Sequence, residues 1–241
     1  MRKIRIGTSG WAYPEWRGDF YPRGLRKPLE YLAERVDSVE INGTFYSLRT
    51  PENYRNWAAQ TPDDFVFAVK GPRLITHIRR LADVDEALDR FTKSLDLGHR
   101  QGPIIWQLPP TMRFDRAVLD TFLGRLPAGR HAVEARHESF RDDEFLRTLT
   151  NHNVANVIAD SPGTFPCIDA ITADFAYVRL HGNERLYLSS YSDTELDEWA
   201  AKIHDWTIDG YVYFDNTMAA AAPRNAMSLA QRLRARLPSG T

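Results

Sequence analysis

Three pairs in the 241-residue chain share one spacing: Glu40-x-Asn42, Glu134-x-Arg136 and Arg179-x-His181. Each ends a short apolar run, and one intervening residue puts both members on the same face of a β-strand. A carboxylate there is costly unless it is paired or used. Other apolar runs also end polar, at Ser9, Lys70, Gln107, Asp160 and, depending on parity, Asp215 or Asn216. Glu40, Glu134 and Asp160 balance Lys70, Arg136 and Arg179, with His77, His137 and His181 close in sequence. Gathered around one mouth, these groups would form a network that satisfies each buried charge and suits acid–base work.

The chemistry expected of such a mouth is proton transfer on a small polar or anionic substrate, phosphate- or sugar-like. Glu40 and Glu134 are the expected donor and acceptor, in either order, because two carboxylates in different surroundings adopt different protonation states. Lys70, Arg136 and Arg179 would hold an anionic group. Asn42, Gln107 and Asn216 would orient neutral groups, and Asp160, His181 and His77 would complete the polar lining. Trp11, Tyr13, Phe45 and Tyr46 follow the first two runs and could stack on the substrate, although aromatics near such a mouth more often pack. His181-Gly182-Asn183 and Asn216-Thr217 close the last two runs, where barrels often bind phosphate, but no Gly-rich phosphate motif accompanies them.

Competing readings stay open. Strand ends are polar partly because loops begin there, and Arg5 shows that a charge within a strand need not do chemistry. Glu40, Glu134, Asp160, His181 and Asp215 include enough O and N ligands for a divalent ion, which makes a metal-dependent hydrolase or isomerase the alternative. Against it, no HxH or HExxH spacing occurs and basic residues alternate with the candidate ligands. No cofactor is expected otherwise, since no Gly-rich dinucleotide fingerprint appears. The segment KGPRLITHIRRL at 70–81 could track single-stranded nucleic acid in a non-catalytic binding protein, but a solvated loop and helix edge is the preferred reading. Ser9 and Ser161 lack a nucleophile-elbow context. The single cysteine, Cys167, excludes an intrachain disulfide and stands alone in a Pro-rich stretch.

The elements that must position these residues alternate. Strand-like runs occur at 4–9, 38–42, 65–70, 104–108, 131–136, 154–160, 175–181 and 211–216. Helical periodicity occupies 25–36, 52–60, 84–97, 116–126, 142–151, 195–207 and 224–237. In the sixth, Leu196, Trp199, Ile203 and Trp206 form one stripe behind a Ser192/Glu195 capping box. Thr50-Pro51 opens another helix, and Pro223 marks a further start. Only the link SPGTFPCIDAITAD lacks a helix, so irregularity is expected around the sixth α segment. Eight strands at about thirty-residue spacing predict a single-domain α/β (β/α)8 barrel over residues 1–241, with mainly parallel strands; a doubly wound sheet is the competitor.

Composition narrows the partners. With 31 Lys and Arg against 32 Asp and Glu, the net charge of −1 provides no global pull toward nucleic acid or anionic lipid. The basic start MRKIR runs into an alternating segment without an apolar h-region. No apolar run approaches the ~20 residues of a membrane span. A cytoplasmic protein without a membrane partner is expected, with its oligomeric state open.

The motifs GTSGWAYPEW (7–16), FYP (20–22), VEINGTFY (39–46), FAVK (67–70) and THIRRL (76–81) continue with GPIIWQLPP (102–110), AVEARHESF (132–140), YVRLHG (177–182) and YFDNT (213–217). In that order they resemble the DUF72 (YecE-like) proteins over essentially the whole chain. The resemblance implies a TIM-barrel-like fold and, because the motifs fall on strand ends and their loops, a site there. It implies no reaction, since that family is of uncharacterised function. Asp215 stands where the family commonly has asparagine.

Overall fold

The computed structural model describes residues 2–161, 163–182 and 184–236. Eight strands close into a barrel: β1 (Ile4–Ser9), β2 (Ser38–Ile41), β3 (Val66–Lys70), β4 (Gln101–Gln107), β5 (His131–Glu134), β6 (Ala155–Asp160), β7 (Phe175–Leu180) and β8 (Asp209–Phe214). Each pairs in parallel with its sequence neighbours, and β8 returns to β1 with Gly7 opposite Tyr213. The alternation read from the sequence therefore produces the barrel and not the open sheet.

Outside lie α1 (Pro28–Ala33), α2 (Pro51–Ala58), α3 (Asp85–Ser94), α4 (Arg116–Leu123), α5 (Asp143–Asn151), α6 (Asp193–His204) and α7 (Ala221–Arg236). Local chemistry starts several of them. Thr50 with Asn53 and Ser192 with Glu195 form capping boxes, and the Asp115 and Asp142 side chains accept backbone N–H bonds at the starts of α4 and α5. The observed helices are mostly shorter than the periodic stretches, because the last apolar residue often packs from a following turn. The closing helix begins three residues before the expected Arg224; the expected end, Leu237, and Asn183 of the expected phosphate turn lie outside the described residues. Between β6 and β7 the described residues contain no helix, which is the expected irregularity. No helix among the described residues is long and apolar enough to cross a membrane.

Two cores result. The larger lies between strands and helices and includes Trp16, Phe67, Trp106, Phe122 and Phe145. The smaller fills the barrel with Ala68, Ile105, Ala132, Ala155, Val157, Phe175, Tyr177, Tyr211 and Tyr213. Small residues on β3, β5 and β6 leave room for the large rings of β7 and β8, as close packing of a narrow cylinder demands. Buried hydroxyls need partners. Tyr213 Oη lies 2.6 Å from Ser38 Oγ, and Tyr177 Oη donates to Glu40 Oε2 at 2.6 Å. At the lower end Arg130 donates to Asp209 Oδ2 (2.8 Å) and Tyr211 Oη (2.9 Å), closing the bottom.

This inner core sets the parity of every strand. Ser38 and Glu40, Ala68 and Lys70, Ala132 and Glu134, Tyr177 and Arg179 point inward in turn. Gly7 faces the same interior, and a Cβ there would stand 1.7 Å from the Ser38 carbonyl oxygen. Gly7→Ala is accordingly expected to destabilise the fold by about 3 kcal/mol or more, because backbone must move to admit one methyl. Urea unfolding midpoints measure this, and a loss below ~0.5 kcal/mol would contradict the close approach.

Candidate active site

The upper layer of the barrel is ionic. Arg179, on β7, is 1% exposed and spans the barrel. Its Nη1 donates to Glu134 Oε2 at 2.6 Å and its Nη2 to Glu40 Oε1 at 2.9 Å, with Asp215 Oδ2 3.2 Å from Nη2. Gln107 and Ser9 accept further bonds from the same guanidinium at 3.4 and 3.1 Å. Glu134 also accepts from Arg136 Nε at 2.7 Å. Fully buried His181 places Nδ1 2.9 Å from Asp215 Oδ2 and Nε2 3.5 Å from Glu134 Oε1. Residues scattered from 9 to 215 thus meet at one level.

The electrostatics follow from this pairing. Burial alone would raise the Glu134 and Asp215 pKa values. For Glu134, Arg136 and Arg179 outweigh burial and hold it well below the carboxylate range. For Asp215, Arg179 and His181 do the same and hold it at about 2. Lys70 moves the other way: burial first, then the Arg179 charge, pulls its ammonium down to about 8. Burial, with Lys70 and Arg136 nearby, lowers His77 to about 4. Tyr13 is raised to about 12 by burial and by the Asp215 charge.

Above this layer opens a cavity of about 610 Å³, lined by Tyr13, Asn42, Phe45, Tyr46, Lys70, Arg73, His77, Gln107, Arg136, Arg179, Tyr187 and Asp215. Loops after the strands shape it. A 3-10 turn at Gly43–Phe45 presents Phe45, whose face lies 4.5 Å from Lys70 Nζ and whose edge meets His77. A π-helical turn at Leu74–Ile78 presents His77, while Arg73, Arg79 and Arg80 of the 70–81 segment are exposed. Gly10 has φ +82°, and the turn it makes lets Tyr13 Oη donate to the Ser9 carbonyl at 2.5 Å. Arg136 stacks its guanidinium 4.1 Å from the Phe165 ring centroid. Arg179 Nε and Asn42 Oδ1 are buried without a hydrogen-bond partner among the described residues.

The placements correct several expectations. Glu40 and Glu134 converge on the Arg179 guanidinium, yet both are fully buried and neither lines the cavity. Asp160 points outward, because Ala155 and Val157 take the interior parity of β6. There it accepts from Tyr191 Oη at 2.9 Å and borders a shallow depression with Glu195, Trp199 and Lys202. Asn216 also turns to the helix layer, donating to the Ser189 carbonyl (2.8 Å) and Asn225 Oδ1 (2.9 Å). The inward residue after β8 is Asp215. Trp11 packs edge-on against Trp57 and lines a neighbouring depression with Arg49, outside the main cavity. Of the residues named for the metal alternative, Asp160 lies on the outer face, and the Glu40 and Glu134 oxygens accept hydrogen bonds from Ser9, Tyr177, Arg179 and Arg136. Among the described residues no group of three or more His, Cys, Asp or Glu could hold a metal ion.

Arg73 and Tyr187 line the cavity without having been singled out. Arg73 lies in a basic loop whose charges look alike in sequence. Tyr187 belongs to an aperiodic loop with φ +64° and donates its N–H to the His181 carbonyl at 2.6 Å, a placement that no spacing signals.

Fold and site together define a (β/α)8 barrel with an ion-paired floor and a cationic C-terminal mouth. The chain belongs to the DUF72 family, proteins of unknown function, whose pattern it matches over residues 5–240. It is 30% identical to UPF0759 protein YecE of Escherichia coli (strain K12), over 98% of this chain and 94% of that protein. A crystal structure of a DUF72 family protein from Thermotoga maritima MSB8, 28% identical, superposes with a TM-score of 0.85 over 97% of this chain and 100% of that one. One from Enterococcus faecalis V583, 19% identical, shows the same fold with a TM-score of 0.83 over 96% of this chain and 95% of that one.

The depressed carboxylates define an acid limb. Their contribution is complete above ~4, the pKa of an unfolded carboxylate, and is lost as pH falls from there toward the folded value, about 2 for Asp215. Urea midpoints measured from pH 7 to 2.5 are expected to drop below pH ~4, and to drop less steeply in Asp215→Asn. Parallel acid profiles for the two proteins would contradict the pairing.

Proposed function

We propose that the chain is an enzyme that binds a small anionic substrate, phosphate- or sugar-phosphate-like, in the C-terminal mouth and acts on it by acid–base chemistry. One observation carries this reading: the charge of the lining. Lys70, Arg73, Arg136 and Arg179 border the cavity against Asp215 as the bordering carboxylate among the described residues, because Glu40 and Glu134 are fully buried and do not line it. A cleft of one sign with low-dielectric walls concentrates ligands of the opposite sign. Guanidinium forks suit phosphate or carboxylate oxygens. The unpartnered Arg179 Nε and Asn42 Oδ1 add donor and acceptor capacity at the floor.

In this reading Glu40 and Glu134 are positioning residues that act through Arg179. Proton transfer falls to groups on the cavity wall. Asp215 and His77 are unprotonated at neutral pH and stand on this wall as proton acceptors, and Tyr187, held protonated by burial, stands as a donor. Preorganised charges of this kind stabilise developing negative charge without having to reorient.

Sulfate, whose own charge is constant across the range, tests the reading by calorimetry. Lys70→Ala and Arg136→Ala are each expected to weaken sulfate binding about 10- to 100-fold at pH 7, the scale of a lost charge-assisted hydrogen bond. Wild-type affinity should fall as pH rises through about 8, where Lys70 releases its proton, and Lys70→Ala should lose that step. Sulfate affinity untouched by either substitution would refute an anion site at the mouth.

A further inference from the structure

The chain uses lysine sparingly, and the placement of its five lysines is uneven. Lys3 is exposed; Lys27, Lys93 and Lys202 sit on the outer surface, paired with Glu30, Asp89 and Asp169. Lys70 alone among them ends a strand inside the barrel. Its carbonyl accepts from Thr44 Oγ1 at 2.6 Å, fixing the strand end, and its Nζ rests over the Phe45 ring. Among the described residues Lys70 has no carboxylate partner, because Glu40, Glu134 and Asp215 all direct oxygens to Arg179. The other cations on the wall are guanidiniums, which keep their protons. Lys70 is the one amine that this wall offers among the described residues.

We infer that Lys70 is a nucleophilic amine that forms an imine with the carbonyl carbon of a small anionic aldehyde, ketone or 2-oxo acid held at the mouth. A lysine without a counter-ion, beside an aromatic face and a second cation, is in the setting that frees an amine lone pair. Its pKa of about 8 leaves it neutral far more often than a surface lysine: about 10% against 0.04% at pH 7, roughly 200-fold. The step balances without an oxidant. The Nζ lone pair forms the C–N bond, and the carbonyl π pair moves to oxygen, which takes a proton. Nitrogen then gives up a proton, a second proton reaches the oxygen, and water leaves as C=N forms. Tyr187, held protonated by burial, borders the cavity as a proton donor, and Asp215 stands ionised as an acceptor. Arg136 and Arg179 are placed to hold the anionic group. The inference rests on the anion-binding reading above and adds the carbonyl.

Reductive trapping tests it. The protein is treated with glyoxylate and cyanoborohydride, and adducts are located by peptide mass spectrometry. A carboxymethyl adduct is expected on Lys70 at least 10-fold faster than on Lys3, Lys27, Lys93 or Lys202. Its rate should rise between pH 6 and 8, and Lys70→Arg, with its fold checked by circular dichroism, should leave only slow surface labelling. With uncharged glycolaldehyde the preference for Lys70 should shrink severalfold. Similar labelling of all five lysines, or a preference undiminished with glycolaldehyde, would overturn the proposal. Sulfate calorimetry on the same preparation separates the two readings: sulfate binding without a Lys70 adduct refutes the imine alone, and the loss of both refutes the anion site as well.

Discussion

A guanidinium that water scarcely reaches sits at the centre of the upper barrel, and the surrounding structure is arranged to tolerate it. Removing one partner of such a buried charge costs about 3–5 kcal/mol, because the ion left behind is neither solvated nor paired. Arg179 therefore constrains residues on several strands at once: Ser9 on β1, Glu40 on β2, Gln107 on β4, Glu134 on β5 and Asp215 after β8. Replacing a buried ion cluster by well-packed apolar side chains of similar volume is often neutral or stabilising. Stability alone does not call for ions here, which directs attention to what the ions present on their upper side.

What they present is a wall of fixed positive charge. Tyr177 and Tyr213 fill the barrel interior, Tyr177 donates to Glu40, and Glu134 accepts from both Arg179 and Arg136. The two glutamates fix the direction of the guanidiniums, so that the cavity meets cations while the interior beneath it remains balanced. Lys70 stands apart from the pairing and is the cation at this wall whose charge changes near neutrality. The wall thus combines charges that are permanent with one that titrates near neutrality, and the proposed anion-binding and acid–base reading rests on that combination.

The barrel was legible because its signals are local and repeated: apolar runs bounded by turn residues, capping boxes at Thr50 and Ser192, and a helix-free link before β7. Much of the ionic layer was legible for the same reason, since Glu40, Lys70, Glu134 and Arg179 follow clear apolar alternation. Parity failed where both faces of a strand are apolar. In β6, Ala155, Val157 and Ala159 are as plausible outside as inside, and the polar residue Asn156 turns outward to donate to the Ile168 and Ala170 carbonyls of the helix-free link. Asp160 follows Asn156 to that face. Access to the cavity was also illegible. Glu40 and Glu134 share the inward face with Arg179, but their oxygens are spent on its guanidinium and they do not line the cavity, a geometry that depends on three strands distant in sequence. Arg73 and Tyr187 come from loops, where no periodicity marks direction.

The energetic coupling between Arg179 and Glu134 bears most directly on this picture. Unfolding free energies of Arg179→Gln, Glu134→Gln and the double variant define a cycle that isolates the pair from each residue's separate packing. If the guanidinium is held by its carboxylates, the coupling is about 2 kcal/mol or more, and the double variant is much less damaged than the sum of the single ones. Strictly additive losses, within ~0.5 kcal/mol, would mean that the two side chains meet without holding one another, and the floor of the mouth would not be an ion-paired layer.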